Sequence, residues 1–480
     1  MKKMPLVVLV ITLIGKNYIF FYIIIQFREK AGRYNNSMKE NTVNMTEGSP
    51  VRLLLTFSVP MLIGNIFQQL YNLVDSVIVG QFIGAQALAA IGATGSITFF
   101  FFALCNGIGA GGGIITSHFF GEGSEDKVKN CIANTAYIML VIPLTIGIAA
   151  FFATGPILEL LNTPPSIMED SRLYMQIMCV CLVLISAYNF ASSMLRALGD
   201  SKTPLYFLIF SCILNAILDI IFVYNFKLGV FGAGIATLIS NLICATFCII
   251  FAFKTNSFFK LSKADWRVNP VILGRCIKLG VPLSLQFSLI AISCMALQRV
   301  VNNFGPVAVA AFTATTRVEQ LIHQPYGTLG TALSTYCGQN YGAKKLDRII
   351  TGYRKSMLMM AVFTAVMIPL ILIFGTSITA LFVKEPEVIE MGAHALKITC
   401  WFYIFLGIIY VVRGVLNGIG DATFALINGV TEVAGRFVVP FALTAVAAIG
   451  VWGIWWSVGI VWFLSGATAW LRYVYMKRRI

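Results

Sequence analysis

Charge is scarce in this chain. Only 11% of its 480 residues are Asp, Glu, Lys or Arg, where soluble domains carry about a quarter. A soluble protein so poor in charge could not cover its surface with polar groups, which excludes a cytosolic enzyme of two or three domains. Histidine is scarcer still: His118, His323 and His394 are the three copies, far apart in sequence. None of the eleven cysteines forms a zinc-ligand or redox CxxC pair, so buried thiols are expected. An intramembrane enzyme, which needs a paired nucleophile and base or a metal cluster, therefore finds little support. The phosphate-cradling Gly-x-x-x-x-Gly-Lys-Ser/Thr loop is missing, which argues against an ATP-driven pump. Gly107-Ile108-Gly109-Ala110-Gly111-Gly112 matches the dinucleotide spacing. It ends an apolar span without a soluble βαβ unit, so close helix packing by small residues is the expectation.

What the chain has in abundance is apolar length. It is 58% hydrophobic with a mean hydropathy of +0.83. Runs of about 20 apolar residues span a bilayer. Twelve such runs are predicted, at roughly 51–79, 86–113, 127–153, 171–195, 203–225, 231–253, 271–302, 307–337, 346–374, 388–415, 422–447 and 451–472. The fold class is thus an all-α polytopic membrane protein. Its 35 Lys and Arg against 20 Asp and Glu give +15, and the bases gather on one side. Lys127, Lys129, Arg196, Lys202, Lys260, Lys263, Arg267, Lys344, Lys345, Arg348, Arg354 and Lys355 fall in alternate loops, with Lys477, Arg478 and Arg479 in the tail. Basic loops stay cytoplasmic, so both ends of the twelve-helix body are expected inside, and the positive balance marks topology rather than nucleic acid. Met4–Phe27 is long enough to span but is broken by Lys16 and Asn17. It reads either as a thirteenth helix or as a stretch upstream of a start at Met38 or Met45; it lacks a signal-peptide cleavage site.

One offset dominates when the chain is slid along itself. Gly84 and Gly305, Ala93-Thr94 and Ala314-Thr315, Gly121 and Gly342, Gly199-Asp200 and Gly420-Asp421 all lie 221 apart. Six helices are repeated once, giving two parallel six-helix lobes. The expected division is an N-terminal extension over 1–45, an N-lobe over 46–254, a cytoplasmic loop over 255–270 and a C-lobe over 271–476.

The repeat is also an internal control on polar residues inside the spans, where charge is costly. Asp75 and Asp219 have no basic residue within a turn. Asn215 shares a face with Asp219, and Asn189 and Thr237 stand in neighbouring apolar runs. Their second-half equivalents are Tyr410 for Asn189, Arg436 for Asn215, Pro440 for Asp219, Val458 for Thr237, and Ala296 or Leu297 for Asp75. No carboxylate survives, so the set belongs to the N-lobe alone. Two carboxylates with amide and hydroxyl oxygens suit a hard monovalent cation or a proton. Asp75, Asn189, Asn215, Asp219 and Thr237 are therefore the candidate coupling-cation site. A second candidate network lies in the C-lobe: Arg317, Glu319 and His323 on the eighth helix, with Glu432 and Arg436 one turn apart and able to pair. The Glu432–Arg436 pair reads first as a structural ion pair, whereas Arg317, Glu319 and His323 read equally as structural or as coupling. Trp452, Trp455, Trp456, Trp462 and Trp470 are expected as interface anchors.

Three segments carry a resemblance. They are Leu70-Tyr71-Asn72-Leu73-Val74-Asp75-Ser76-Val77-Ile78-Val79-Gly80, then Leu195-Arg196-Ala197-Leu198-Gly199-Asp200-Ser201-Lys202-Thr203-Pro204 followed by Leu214-Asn215-Ala216-Ile217-Leu218-Asp219, and Gly338-Gln339-Asn340-Tyr341-Gly342-Ala343. With twelve spans and the duplication, the chain resembles the multidrug and toxic compound extrusion (MATE) family over about residues 46–475. The resemblance implies a secondary antiporter of the bacterial cytoplasmic membrane, not an enzyme. It would export organic cations or other amphipathic compounds as H⁺ or Na⁺ enters, as a monomer, with no other cofactor and no ATPase subunit. For such a substrate, which wants an apolar, aromatic cavity with few polar groups, Gln68, Tyr71, Gln286 and Tyr326 are the candidate contacts near the central cleft. In the DinF-type branch the N-lobe cation site uses an Asp on the first helix and an Asn and Asp four apart on the fifth, matching Asp75, Asn215 and Asp219, with Asn189 and Thr237 at the remaining polar places. The acids that NorM-type relatives carry on helices seven and ten are absent from Pro282–Ile292 and Tyr403–Arg413. A lipid-linked precursor flippase of the same superfamily is the alternative; it would favour a basic central cavity, and Arg317 and Arg436 are the bases expected near mid-span.

Overall fold

The computed structural model describes residues 42–161 and 163–477. The expectations for residues 1–37, for most of the 1–45 extension and for Arg478 and Arg479 lie outside the described residues.

Among the described residues, thirteen long helices form twelve spans. In the N-lobe they are α1 (Pro50–Ile78), α2 (Ala85–Glu122), α3 (Glu125–Leu160), α4 (Met168–Ala197), α5 (Lys202–Asp219) and α6 (Gly229–Thr255). In the C-lobe they are α7 (Pro270–Asn302), α8 (Gly305–Gly342), α9 (Leu346–Ala380), α10 (Pro386–Thr399), α11 (Tyr403–Gly418), α12 (Ala422–Thr444) and α13 (Gly453–Lys477). A single 3₁₀ turn, Cys400–Phe402, joins α10 to α11 as one span. Eleven spans are apolar enough to cross a bilayer on composition alone. The twelfth is α8, whose 38 residues suffice in length but include Arg317, Glu319, Gln320, His323 and Gln324. Several helices outrun their predicted ends. The span expected at 86–113 continues to Glu122, because nothing in the sequence after residue 113 breaks a helix before Gly123, which caps it in the left-handed region.

The duplication reaches the backbone. Left-handed residues pair at the same 221 offset: Gly84 with Gly305, Gly123 with Lys344, Gly199 with Gly420 and Gly229 with Gly450. The turn after α4 and the turn after α11 are copies. Asp200 N–H donates to the Leu195 carbonyl and Asp421 N–H to the Leu416 carbonyl, each at 2.9 Å. Gly199 and Gly420 supply the positive φ that closes such a motif. Each Asp then caps the next helix: Asp200 Oδ1 accepts from Lys202 and Thr203 N–H, both at 3.0 Å, and Asp421 Oδ1 from Phe424 N–H at 3.2 Å.

The lobes are not cleanly separate. Met45, Leu54 and Phe57, at the start of α1, are buried in the C-lobe core with Leu333, Tyr336 and Val412. Ile272, Cys276, Leu279 and Leu283, at the start of α7, are buried in the N-lobe core with Ile132, Met194 and Leu198. The first helix of each repeat thus leans on the other repeat at its basic-side end. The backbones of α2 and α7 meet where a Cβ at Gly107 would strike Ser284 and one at Gly111 would strike Gly280. This is the small-residue packing expected of the Gly107–Gly112 run. Residues 255–269 fold back onto α3, where Asn130 Nδ2 donates to the Asp265 and Arg267 carbonyls at 2.9 and 3.0 Å.

Two expectations need correction. Trp455 and Trp462 are not interface anchors; they are 1% and 3% exposed within the C-lobe, and Trp455 Nε1 donates to Thr315 Oγ1 at 3.2 Å. Among the cysteines, Cys294 is exposed and Cys212 half-buried, while the rest are buried.

Candidate cation site and the C-lobe polar network

Four N-lobe helices carry a polar residue to one depth. Asp75 lies eight residues before the end of the π-helical turn Val79–Ile83 that prolongs α1. Asp219 lies six before the end of a similar turn, Ile220–Asn225. Thr237 lies eight after the start of α6 and Tyr174 six after the start of α4. At 1.5 Å per residue all four sit about 9–12 Å from the span ends opposite the basic loops. That is nearer one face than the midplane expected for such sites. Asp219 directly precedes, and Asp75 lies four residues before, a turn that widens into π geometry, a local distortion frequent at functional sites. The two widened turns touch through Phe82 and Tyr224, whose rings are 5.0 Å apart.

The carboxyls of Asp75 and Asp219 lie within hydrogen-bonding reach of one another. Asp219 is fully buried, whereas Asp75 is half-buried. Each keeps its Oδ1 without any partner. Asn215 supports the pair from one turn away. With its amide nitrogen turned toward Asp219 it donates to Oδ2 at 2.7 Å, and its oxygen accepts from Thr237 N–H at 3.1 Å. The opposite orientation would face oxygen toward acceptors and nitrogen toward donors. Tyr71 lies beside Thr237 and Asp75, and Tyr174 faces both aspartates. No Lys or Arg contributes to this cluster among the described residues.

Asn189 is not brought in. It stands fifteen residues beyond Tyr174 on α4, about 22 Å along the axis, near the opposite end of the span. A polar residue in an apolar run signals a buried partner but not its depth, and depth needed the helix start at Met168. Tyr174 was missed because one tyrosine in a chain of 17 carries no pattern of its own.

The C-lobe network is larger than its sequence signal and centred elsewhere. Arg413, 9% exposed, makes the close ion pair with Glu432, Nη2 to Oε1 at 2.7 Å, and also bonds Asn428 Oδ1. Gln286 Nε2 donates to the same Asn428 oxygen at 3.1 Å. The expected Glu432–Arg436 pair is the looser one, at 3.9 Å. Arg436 instead donates to Ser293 Oγ at 2.8 Å and Cys294 Sγ at 3.1 Å. Glu319 reaches Thr399, and Glu319 Oε1 and His323 Nε2 have no partner. The His323 ring lies against Trp462 at 5.5 Å and Tyr410 at 6.3 Å. Arg317 does not belong to the network, because it is an exposed side chain; Arg413, five residues before the end of α11, replaces it as the second base of the network.

Of the candidate substrate contacts, Gln68 is exposed and Tyr71 half-buried on the face of α1 that carries Asp75. Gln286 and Tyr326 are withdrawn, being 0% and 1% exposed. Gln286 is held by Asn428, and the Tyr326 hydroxyl is bonded to Thr364 Oγ1 at 2.7 Å.

On the basic side the lobes are latched together. A Cβ at Gly121 would collide with the Gln339 carbonyl, and one at Gly342 with the His118 carbonyl. His118 Nε2 bonds the Gly418 carbonyl at 2.6 Å. Gln339 Nε2 donates to the Ala197 carbonyl at 3.0 Å while its Oε1 accepts from Met45 N–H at 2.8 Å. Arg348 Nη2 holds the Met45 and Gly48 carbonyls at 3.1 and 3.0 Å.

Comparison with known proteins places this architecture. The family model MatE matches twice, over residues 60–221 and 282–442. The chain is 31% identical over 438 residues to the "Probable multidrug resistance protein YpnP" of Bacillus subtilis, covering 90% of this chain and 96% of that one. It is 24% identical over 442 residues to the "Multidrug export protein MepA" of Staphylococcus aureus, covering 92% and 97%. Its fold superposes on "Crystal structure of MATE in the straight conformation" with a TM-score of 0.85 at 22% identity, covering 92% of this chain and 98% of that one. It also superposes on "Outward-facing conformation of a multidrug resistance MATE family transporter of the MOP superfamily" with a TM-score of 0.84 at 23% identity, covering 91% and 97%. The double match falls on the two six-helix repeats found from the 221-residue offset, and the chain belongs to the MATE family of multidrug efflux transporters.

Proposed function

We propose that this multi-pass transporter is a secondary antiporter. It exports amphipathic organic cations and related compounds while H⁺ or Na⁺ enters, and Asp75 and Asp219 take the coupling cation. The observation that carries the reading is the aspartate pair: two carboxyls from different helices, within reach of each other, each with a free oxygen and no base nearby. Two such groups in a low-dielectric interior cannot both hold a charge unless a cation sits between them or a proton is shared. Asn215, Thr237 and Tyr174 supply the neutral oxygen and hydroxyl neighbours that a desolvated Na⁺ or a shared proton requires. Half-buried Asp75 is the point of access and buried Asp219 the interior acceptor.

Alternating access follows from the latch. The basic-side contacts of Gly121, His118 and Gln339 hold that face closed, and they must part for the opposite state, with the lobes rocking about the α1 and α7 crossings. The positive-inside bias puts the latched face in the cytoplasm, in a bacterial inner membrane. Purified protein in liposomes tests the coupling: efflux of a fluorescent cation should start only when a Na⁺ or proton gradient is imposed, and Asp219→Asn should abolish it. Gradient-driven transport by Asp219→Asn at the normal rate would refute the assignment.

A further inference from the structure

The two lobes share a backbone plan but not a charge. Offset by 221, the position of Asn215 in the cation site becomes Arg436, and Asp219 becomes Pro440. Arg436 lies eight residues before the end of α12 and its partner Ser293 nine before the end of α7. Both are therefore about 12–14 Å from the same face as the aspartate pair. The pseudo-equivalent place in the C-lobe is occupied by a cation.

That cation is only loosely neutralised. Glu432 faces it at 3.9 Å, but Glu432 is already engaged by Arg413 at 2.7 Å. The direct contacts of Arg436 are a hydroxyl and a thiol. Its side chain is 13% exposed, and Cys294 beside it is exposed. Half-buried Tyr410, Glu319 and His323 lie within electrostatic reach of it. His323 Nε2 and Glu319 Oε1 have no partner. A loosely neutralised arginine, a carboxylate with an unpartnered oxygen, and the packed rings of His323 and Tyr410 make a dipolar site. A guanidinium seeks carboxylate, sulfonate or phosphate, and the carboxylate seeks an ammonium. A simple anion would be repelled by Glu319, and a simple cation by Arg436.

We propose that the C-lobe cluster of Arg436, Ser293, His323 and Glu319 binds zwitterionic amphipathic molecules, with the acidic group on Arg436 and the cationic group toward Glu319. The proposal rests on the efflux reading only for the ligand's route out. Binding in detergent without any gradient tests it independently of ion coupling.

The experiment uses the full chain in detergent and two probes: a rhodamine ethyl ester, which is a cation, and its free carboxylic acid, a zwitterion. Fluorescence anisotropy gives Kd for each. The wild type should bind the free acid about tenfold more tightly than the ester, as one good charge-assisted contact supplies. Arg436→Gln should erase that preference through weaker binding of the free acid, with the ester bound no more weakly than by the wild type. Arg436→Lys, which keeps the charge and the folded network, should retain part of it. Maleimide labelling of Cys294 should be slowed by the free acid and not by the ester. Equal affinity of the wild type for both probes, or an unchanged preference in Arg436→Gln, would overturn the proposal. So would loss of both probes in Arg436→Gln with no change of preference in Arg436→Lys. Anisotropy without a gradient reports on the C-lobe site and gradient-driven efflux of Asp219→Asn on the coupling site, so the two failures are told apart.

Discussion

Asn215 donates its amide to Asp219 Oδ2 at 2.7 Å from one turn earlier on α5. That bond fixes one oxygen of the buried carboxylate and leaves Oδ1 without a partner. The geometry makes Asn215 a positioning residue for the acid. Asn215→Ala should weaken apparent affinity for the coupling ion by about tenfold, roughly the worth of one hydrogen bond to a charged group, and leave the maximal rate nearly unchanged. Initial efflux rates at graded ion concentrations distinguish the two effects.

Asp75→Asn should weaken coupling as Asp219→Asn does, and Tyr174→Phe should weaken it less. Asn189→Ala should transport at the wild-type rate, because about 22 Å of helix separates it from the cluster. A transport defect in Asn189→Ala with wild-type expression would move the site.

Arg413→Ala strips the close partner from Glu432, a buried carboxylate. Such a loss typically costs about 3–5 kcal/mol. The variant should therefore unfold at markedly lower temperature in detergent. The double variant Arg413→Gln, Glu432→Gln should recover part of that loss, since the close pair is removed together and only Arg436 loses its looser partner at 3.9 Å.

The latch makes its own prediction. Gly121→Ala places a methyl group on the Gln339 carbonyl, so the basic-side face should open. Spin labels at Lys127 and Lys355, both exposed, should report a longer distance than in the wild type, and efflux should fall.

Removing residues 1–37 should preserve transport. Removing residues 1–48 should not, because Met45 is buried and Met45 and Thr46 tie α8 and α9 to the start of the chain. Thermal stability and dye efflux of the two truncations decide this.

Much of this was legible in the sequence, and what was not has physical reasons. The repeat was readable because turns constrain residue type: Gly199-Asp200 and Gly420-Asp421 demand a left-handed residue followed by a cap. Asp75, Asn215 and Asp219 were readable because an unpaired carboxylate inside a span is costly. Asn189 misled because polarity within a run does not give axial depth. Arg413 escaped notice because it sits at the end of an apolar run, where a base reads as a loop residue until Glu432 is seen 2.7 Å away. Gln286 and Tyr326 misled because helix periodicity gives a face but not what covers it.

The most direct test of the central claim is dye efflux from proteoliposomes under a Na⁺ gradient and a proton gradient imposed separately, for wild type and Asp219→Asn side by side. The account predicts gradient-dependent efflux in the wild type with at least one of the two ions, and none above empty liposomes in Asp219→Asn despite normal insertion. Equal gradient-driven efflux in both proteins would contradict it.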